Sequence, residues 1–261
     1  LAFEYLTYAV DDFIATVTIN RPPVNALNAR LVDELSNVCE VVAQDVAGGS
    51  VRVFILLAEG NVFCAGADLK ERSGVPESQV ITAVRRIAAM TDRIAKLAIP
   101  TIAALQGIAA GGGFEIALAC DFRVASSDSK VGLRETALGI IPGAGGTQRL
   151  SRLIGQSQAL LWITTARLFP APEAKEFGAV NLVTEQNDLR AETYRLANEI
   201  AANGPLAVQK AKQAVSDGTG LSLDDALNAE MAAYETLVAT EDRREGLQAF
   251  LQKRRPRFIG R

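Results

Sequence analysis

The sequence contains no histidine. A Ser-His-Asp triad, a Cys-His pair and any histidine-ligated metal site are therefore impossible within this chain. Proton transfer has to fall to carboxylates, lysine, cysteine, tyrosine, hydroxyls or the backbone. Cysteine is nearly as scarce. Cys39, Cys64 and Cys120 are the only three, an odd number at wide spacing with no C-x-x-C. That pattern argues against a disulfide framework and a structural zinc, fits a reducing compartment, and leaves the three thiols as small apolar filler. Neither charge sign dominates: 27 Lys and Arg face 30 Asp and Glu, for a net charge of −3. A sequence-wide basic field for nucleic acid or an anionic membrane is thus missing. The one long uncharged run, 97–114, contains Pro100, Gln106 and Gly111-Gly112-Gly113. Such residues break a lipid-facing helix, so this run reads as a buried strand, a turn and a helix start.

What is present is apolar residue in quantity. Hydrophobic residues are 49% and charged residues 22% of 261, enough for a large core in one or two domains. Residues 1–12 carry Glu4, Asp11 and Asp12 where a signal peptide would carry a basic region before an apolar one. The expected location is cytoplasmic for a bacterial chain, or the mitochondrial matrix if a leader has been removed.

Phe13, Ala15, Val17 and Ile19 alternate with Ile14, Thr16 and Thr18 as in a strand. Leu31, Leu35, Val38, Val42 and Val46 predict an amphipathic helix over 29–47, stopped by Gly48-Gly49. The runs 51–57, 102–105 and 122–125 read as buried strands. This alternation predicts an α/β core over 1–188. From 189 onward strand signals vanish and three or four helices are expected, broken at Gly204-Pro205 and around Gly218–Gly220. The region 189–261 therefore reads as a helical unit for assembly and for covering the active site, since its helices carry too much apolar surface to stand free.

Three stretches could carry chemistry. The segment Val62-Phe63-Cys64-Ala65-Gly66-Ala67-Asp68-Leu69-Lys70 follows a buried strand, and its small residues let a ligand approach the backbone. It reads equally as a tight strand-to-helix turn. Gly111-Gly112-Gly113-Phe114-Glu115 leaves the first amides of a helix uncovered, where they and the helix dipole favour negative charge. Glu115 is the only charge between Lys96 and Asp121. Such a carboxylate needs a raised pKa or a specific partner, unless it merely caps its helix. The third stretch places Glu135 ahead of a loop rich in small residues, Gly139 to Arg149. It matches neither G-x-x-x-x-G-K-[ST] nor G-x-G-x-x-G. Taken alone, Glu135 could be a surface partner of Arg134. Together, backbone donors and two carboxylates suit acid/base chemistry beside a carbonyl, with the donors holding an enolate-like oxygen.

In these segments, in Asn20-Arg21-Pro22 with Asn25-Ala26-Leu27, in Ile141-Pro142-Gly143-Ala144-Gly145-Gly146-Thr147-Gln148-Arg149-Leu150, and in the tail Asp242–Gly246 and Phe250–Arg254, the chain resembles the enoyl-CoA hydratase/isomerase (crotonase) family. The similarity is greatest to its methylglutaconyl-CoA hydratase-like branch and covers essentially the whole sequence. It implies a crotonase-like spiral of ββα units with a C-terminal helical oligomerisation region, assembled as a trimer or hexamer. The implied substrate is an acyl-CoA, with no cofactor beyond the coenzyme A that the substrate carries and no metal. By position in the motifs, the amides of Ala67 and Gly112 would form the oxyanion hole. Glu115 and Glu135 would act on one water. Val24, Ala65, Ala67, Asp68, Leu69, Lys70, Gly112, Phe250 and Lys253 would meet CoA or substrate, the last two from a neighbouring subunit.

The implied reaction is addition of water across the 2,3 double bond of a 2-enoyl-CoA, Glu115 taking the water proton and Glu135 supplying the proton at C2. An enoyl-CoA isomerase of the same fold is the alternative. RNA binding, which the resemblance also raises, is disfavoured by charge. The helix 29–47 has Arg30 as its one cation against Asp33, Glu34, Glu40 and Asp45. Arg134 stands beside Glu135 and, if the segment were extended, would point away from it. Arg72, Arg85 and Arg134 are the cations available to read a distal carboxylate on the acyl group, with a solvated surface role as the alternative for each.

Overall fold

The computed structural model describes residues 3–261. A hairpin of β1 (Leu6–Asp11) and β2 (Ile14–Ile19) opens it, antiparallel and in register from Leu6↔Ile19 to Asp11↔Ile14. The sequence pattern predicts only the second of these strands. β1 lies at the sheet edge with Leu6 as its one buried side chain, so it carries no apolar alternation. Then comes α1 (Ala29–Ala47), within the bounds its periodicity predicts. The Asn28 side chain accepts from the Leu31 amide and starts it, and Gly48 ends it.

The core follows as β3 (Val53–Ala58), α2 (Leu69–Ser73), α3 (Glu77–Ala95), β4 (Thr101–Leu105), β5 (Ile108–Ala110), α4 (Gly112–Ala119), β6 (Phe122–Ser126) and β7 (Lys130–Gly132). After a 3-10 turn at Glu135–Leu138 come α5 (Gly146–Ile154), α6 (Gln156–Thr165), β8 (Phe169–Pro170), α7 (Ala171–Glu176) and β9 (Leu182–Thr184). The first strand of each repeating unit joins one six-stranded sheet, ordered β1-β2-β3-β4-β6-β9, in which every pair after the hairpin is parallel. The short second strands β5 and β7 pair in parallel in a separate sheet that β8 completes. This is the spiral of ββα units that the resemblance implies.

Alternate side chains of the large sheet serve two cores. Phe54, Leu56, Ala103 and Leu105 face α1, α3 and α4, while Val53, Ile55, Leu57, Ile102 and Val124 face a layer begun by α8 (Leu189–Ala201). Three more helices complete the tail: α9 (Pro205–Gly218), α10 (Leu223–Glu235) and α11 (Glu241–Leu251). The tail is thus four helices, broken where Gly204-Pro205 and Gly218–Gly220 predict. No helix among the described residues is long and apolar enough to cross a membrane.

The loops after β3 and β5 meet although the two strands belong to different sheets, because a parallel bridge between Cys64 and Ala109 joins them.

Candidate active site

The loop after β3 is held straight by two bridges, Cys64 to Ala109 and Ala67 to Leu27. Leu27 donates to the Gly66 carbonyl and accepts from the Asp68 amide, at 2.8 and 2.9 Å. Both neighbours of Ala67 therefore face Leu27, and the Ala67 amide faces the other way. Asp68 then caps α2, accepting from the Lys70 and Glu71 amides. Arg21 locks it at 2.7 Å and also donates to the Ala26 carbonyl. That pairing holds the Asp68 carboxyl below its usual range.

The second donor starts α4. The turn before it needs Gly111 in a left-handed conformation, φ +52°. Gly113 allows α4 to press against the first loop, because a Cβ there would stand 2.2 Å from the Cys64 carbonyl oxygen. The Gly112 amide is consequently brought beside the Ala67 amide; a Cβ on Gly112 would lie 3.7 Å from the Ala67 nitrogen. Neither N–H donates to any acceptor among the described residues. Two adjacent, uncovered amides are what a developing oxyanion requires.

Glu115 projects from the first turn of α4 and is 3% exposed. Its Oε1 accepts from the amides of Ala144 and Gly146 at 2.7 and 2.8 Å. Burial pushes the carboxyl above its ordinary range, while these two N–H groups and the charge of Arg149 oppose the rise. The accepting loop is itself fixed from behind. Arg149 and Thr91 both donate to the Ala144 carbonyl, and Arg149 also pairs with Asp92 of α3 at 2.6 Å. A Cβ at Gly146 would stand 2.9 Å from the Glu115 Oε1 and would force the carboxylate to shift.

Glu135 has weaker support, its charged form favoured only by its own amide, the Arg134 amide and the charge of Arg72. Its Oε2 is buried without a hydrogen-bond partner among the described residues. Burial, and then the negative charge of Glu115, raise its carboxyl to about 7. Arg134 does not lie on an extended segment pointing away, as one sequence reading has it. The chain turns into the 3-10 helix at this point, and Arg134 and Glu135 line the same cavity without forming an ion pair.

Three connected hollows meet at these groups. A chamber of about 40 Å³ is lined by Ala67, Gly112, Glu115 and Glu135 together. A cavity of about 300 Å³ extends from it between α1, α2 and α3, and one of about 410 Å³ extends towards β5 and the 3-10 turn. Ala67 lines all three, Asp68 the second, and Ala65, Leu69, Gly112 and Glu135 the third. Val24, Lys70, Phe250 and Lys253 line none of them. The Val24 carbonyl accepts from the Ala65 amide while its side chain is exposed, and Phe250 is 81% exposed on α11. The structure also supplies lining residues that the motifs do not mark. Val80, Val84 and Ile87 face the cavities from α3, a helix the sequence reading leaves unplaced although these three recur at helical spacing. Among the described residues no cluster of Cys, Asp and Glu could hold a metal ion.

The raised Glu135 carboxyl makes stability depend on pH. The fold favours its protonated form, so its stabilising effect is complete below the ordinary value of 4.5 and is lost as pH rises through about 7. Glu135→Gln removes the charged form. Its melting temperature is expected to exceed that of the wild type at pH 8, and the difference to close by pH 4. Calorimetry at the two pH values checks this, and a gain independent of pH would contradict it.

Comparison with known proteins gives a consistent picture. The sequence model described as enoyl-CoA hydratase/isomerase matches residues 10–261. The Bacillus subtilis protein YngF is 46% identical over 254 residues, 96% of each chain. Human mitochondrial methylglutaconyl-CoA hydratase is 45% identical over 253 residues, 95% of this chain and 74% of that one. The crystal structure of an enoyl-CoA hydratase from Bacillus anthracis superposes with a TM-score of 0.96 at 44% identity, covering 99% of this chain and 100% of the other.

Proposed function

From the premise that the chain belongs to the enoyl-CoA hydratase/isomerase family, we propose that it is a hydratase, adding water across the 2,3 double bond of a 2-enoyl-CoA. The observation that carries this reading is the chamber in which Glu115 and Glu135 both face the Ala67 and Gly112 amides. Hydration moves two protons, one from water and one to carbon, and two carboxyl groups on one small volume can manage both. Moving a double bond requires only one group to shuttle a single proton.

The environments divide the roles. Glu115 accepts two amide N–H bonds on one oxygen, which oppose the rise that burial imposes on its carboxyl and fix it in place as the base that takes the water proton as oxygen adds at C3. Glu135, with its carboxyl near 7 and a bare buried oxygen, is the group that still holds a proton to deliver to C2. The Ala67 and Gly112 amides receive the charge that develops on the thioester oxygen between the two events. Coenzyme A arrives with the substrate and no separate cofactor enters the scheme. The hydration rate is expected to fall as pH rises past about 7, because the proton on Glu135 is lost there. A kcat that stays flat from pH 6 to 9 would contradict that division.

The test of the class is the loss of enoyl-thioester absorbance on a panel including crotonyl-CoA and 3-methylglutaconyl-CoA, with product analysis. A hydroxyacyl thioester establishes hydration, and a shifted double bond with no water added establishes isomerisation instead.

The tail bears on assembly. Val215, Leu223, Met231, Tyr234, Phe250 and Leu251 are all more than half exposed on α9, α10 and α11. Apolar surface of this extent is normally covered by a partner, and a trimer or hexamer of this chain would cover it. It would also give Phe250 and Lys253 a route to a neighbour's CoA that they lack within one chain. Sedimentation at micromolar concentration is expected to show the oligomer, and a monomer would remove this role for the tail.

A further inference from the structure

We infer that Arg149 is a positioning residue for the reaction: seated behind the turn 144–146, it keeps Glu115 in place and in its charged form, and so sets how far into acid the enzyme works. The inference rests on the reading of Glu115 as the base and goes beyond it by naming what maintains that base. Arg149 is not a catalytic residue, since it lines none of the hollows and reaches Glu115 only through the turn.

The turn is shaped around both groups. Glu115 Oε1 accepts from the amides of Ala144 and Gly146, and the Arg149 guanidinium donates to the Ala144 carbonyl at 2.7 Å. Gly145, between those two residues, adopts φ +102°, and a Cβ there would displace the Arg149 guanidinium. Two successive glycines therefore leave space for two ionised groups, Gly145 for the guanidinium and Gly146 for the carboxylate.

The placement of Arg149 runs against what a helix prefers. It lies in the first turn of α5, at the end where the helix dipole is positive and a cation is unfavourable. That same end presents the Gly146 amide to Glu115, so helix and guanidinium act on the carboxylate in one sense. The counter-ion does not cancel the charge. The Asp92 side chain on α3 is 55% exposed, against 21% for Arg149. Water screens the acid more than the cation, and the uncompensated charge falls on the buried side, where Glu115 lies.

Burial pushes the Glu115 carboxyl up, the two amides oppose this, and Arg149 is the charge that joins them. The other charged groups facing Glu115 are Glu135 from the 3-10 turn and Arg72 from α2, both on the chamber. α4 carries no further charge, α3 presents Val84 and Ile87 to the chamber, and α6 has no charged residue. Without the guanidinium, a carboxylate buried this deeply shifts towards its neutral form, which cannot take a proton from water.

The test is the pH profile of kcat with crotonyl-CoA for Arg149→Gln, Arg149→Lys and Asp92→Asn in the full chain, each checked for a cooperative melt at the assay pH. In Arg149→Gln the acid limb is expected to move to higher pH. At the acid end, kcat relative to the variant's own maximum should then fall about tenfold below wild type, the effect of taking one opposite charge from a carboxylate. KM and butyryl-CoA binding should stay within a few-fold, because Arg149 lines no hollow. Arg149→Lys keeps the charge and should restore most of the limb. Asp92→Asn leaves Arg149 on the Ala144 carbonyl with its charge uncompensated, and should move the limb to lower pH. A kcat lowered by one factor at every pH in Arg149→Gln overturns the inference, since that is the mark of a structural support. An acid limb that moves to higher pH in Asp92→Asn overturns it too, and this variant decides alone if Arg149→Gln does not fold. Failure of the base reading shows separately. An inactive Glu115→Gln beside an Arg149→Gln with the wild-type acid limb would sink the role of Arg149 and leave Glu115 as the base. Near-normal turnover in Glu115→Gln would remove the base on which the inference rests.

Discussion

Glu115→Gln and Glu135→Gln are each expected to lower the hydration of crotonyl-CoA by at least about 10²-fold, the lower end of what one positioned acid or base contributes. Both substitutions keep the shape of the side chain and differ in what happens to the proton. At position 115 a glutamine can turn its carbonyl oxygen to the Ala144 and Gly146 amides, so the loop stays in place. The group facing the chamber is then an NH2, which cannot accept a proton from water. At position 135 the amide occupies the site of the bare buried oxygen but has no acidic proton to give. Because the two groups act on one water, the double variant is expected to lose little more than the worse single one. Binding of butyryl-CoA should be retained in all three, which separates lost chemistry from lost structure. Near-normal turnover in either single variant would remove that residue from the mechanism.

The two glutamates also show how far a sequence can be read. Glu115 stands out as an isolated charge in a long apolar run, because burying a lone carboxylate demands an explanation. Its partners do not stand out: they are backbone amides thirty residues away, and any side chain compatible with the turn would present the same N–H groups. Glu135 gives a weaker signal. Beside Arg134 it reads as half of a surface ion pair, whereas the structure forms no such pair and places Glu135 on one chamber with Glu115. The family motifs are what point to it.

The fold divides along similar lines. Elements whose burial is one-sided and long, such as α1, can be bounded from periodicity alone. β3 and β4 are buried on both faces and appear as continuous apolar runs. Strands of two or three residues, such as β5, β7 and β8, are too short to hold a period and exist only because neighbours offer them an edge. α3 has the apolar spacing of a helix, yet most of its residues are exposed and it begins after Pro76 without a side-chain cap. Since α3 walls the cavities, missing it in the sequence hides most of the acyl pocket.

Gly112→Ala is expected to cost about 10²–10³-fold in kcat/KM for crotonyl-CoA while leaving the fold intact, the loss typical of disabling an oxyanion donor. Backbone donors cannot be deleted by substitution, so the space in front of them has to be filled instead. The glycines around the site differ sharply in what an added methyl group would meet. At Gly113 it would strike the Cys64 carbonyl at 2.2 Å, and at Gly66 it would approach the Ala110 carbonyl at 2.8 Å on a backbone with φ +98°. Either change would push apart the two loops that carry the amides, and lost activity would say nothing about charge. Gly112 has ordinary helical backbone, and its nearest neighbour would be the tip of the Leu27 side chain at 3.1 Å, which can move aside. The methyl group would instead stand 3.7 Å from the Ala67 nitrogen, crowding the space an oxygen must enter to reach both N–H groups. Alanine is also the better helix former, so no large fall in melting temperature is expected. A variant that melts like the wild type and turns over like it would place the thioester oxygen elsewhere. One that melts like the wild type and has lost turnover would tie the chemistry to the pocket between Ala67 and Gly112.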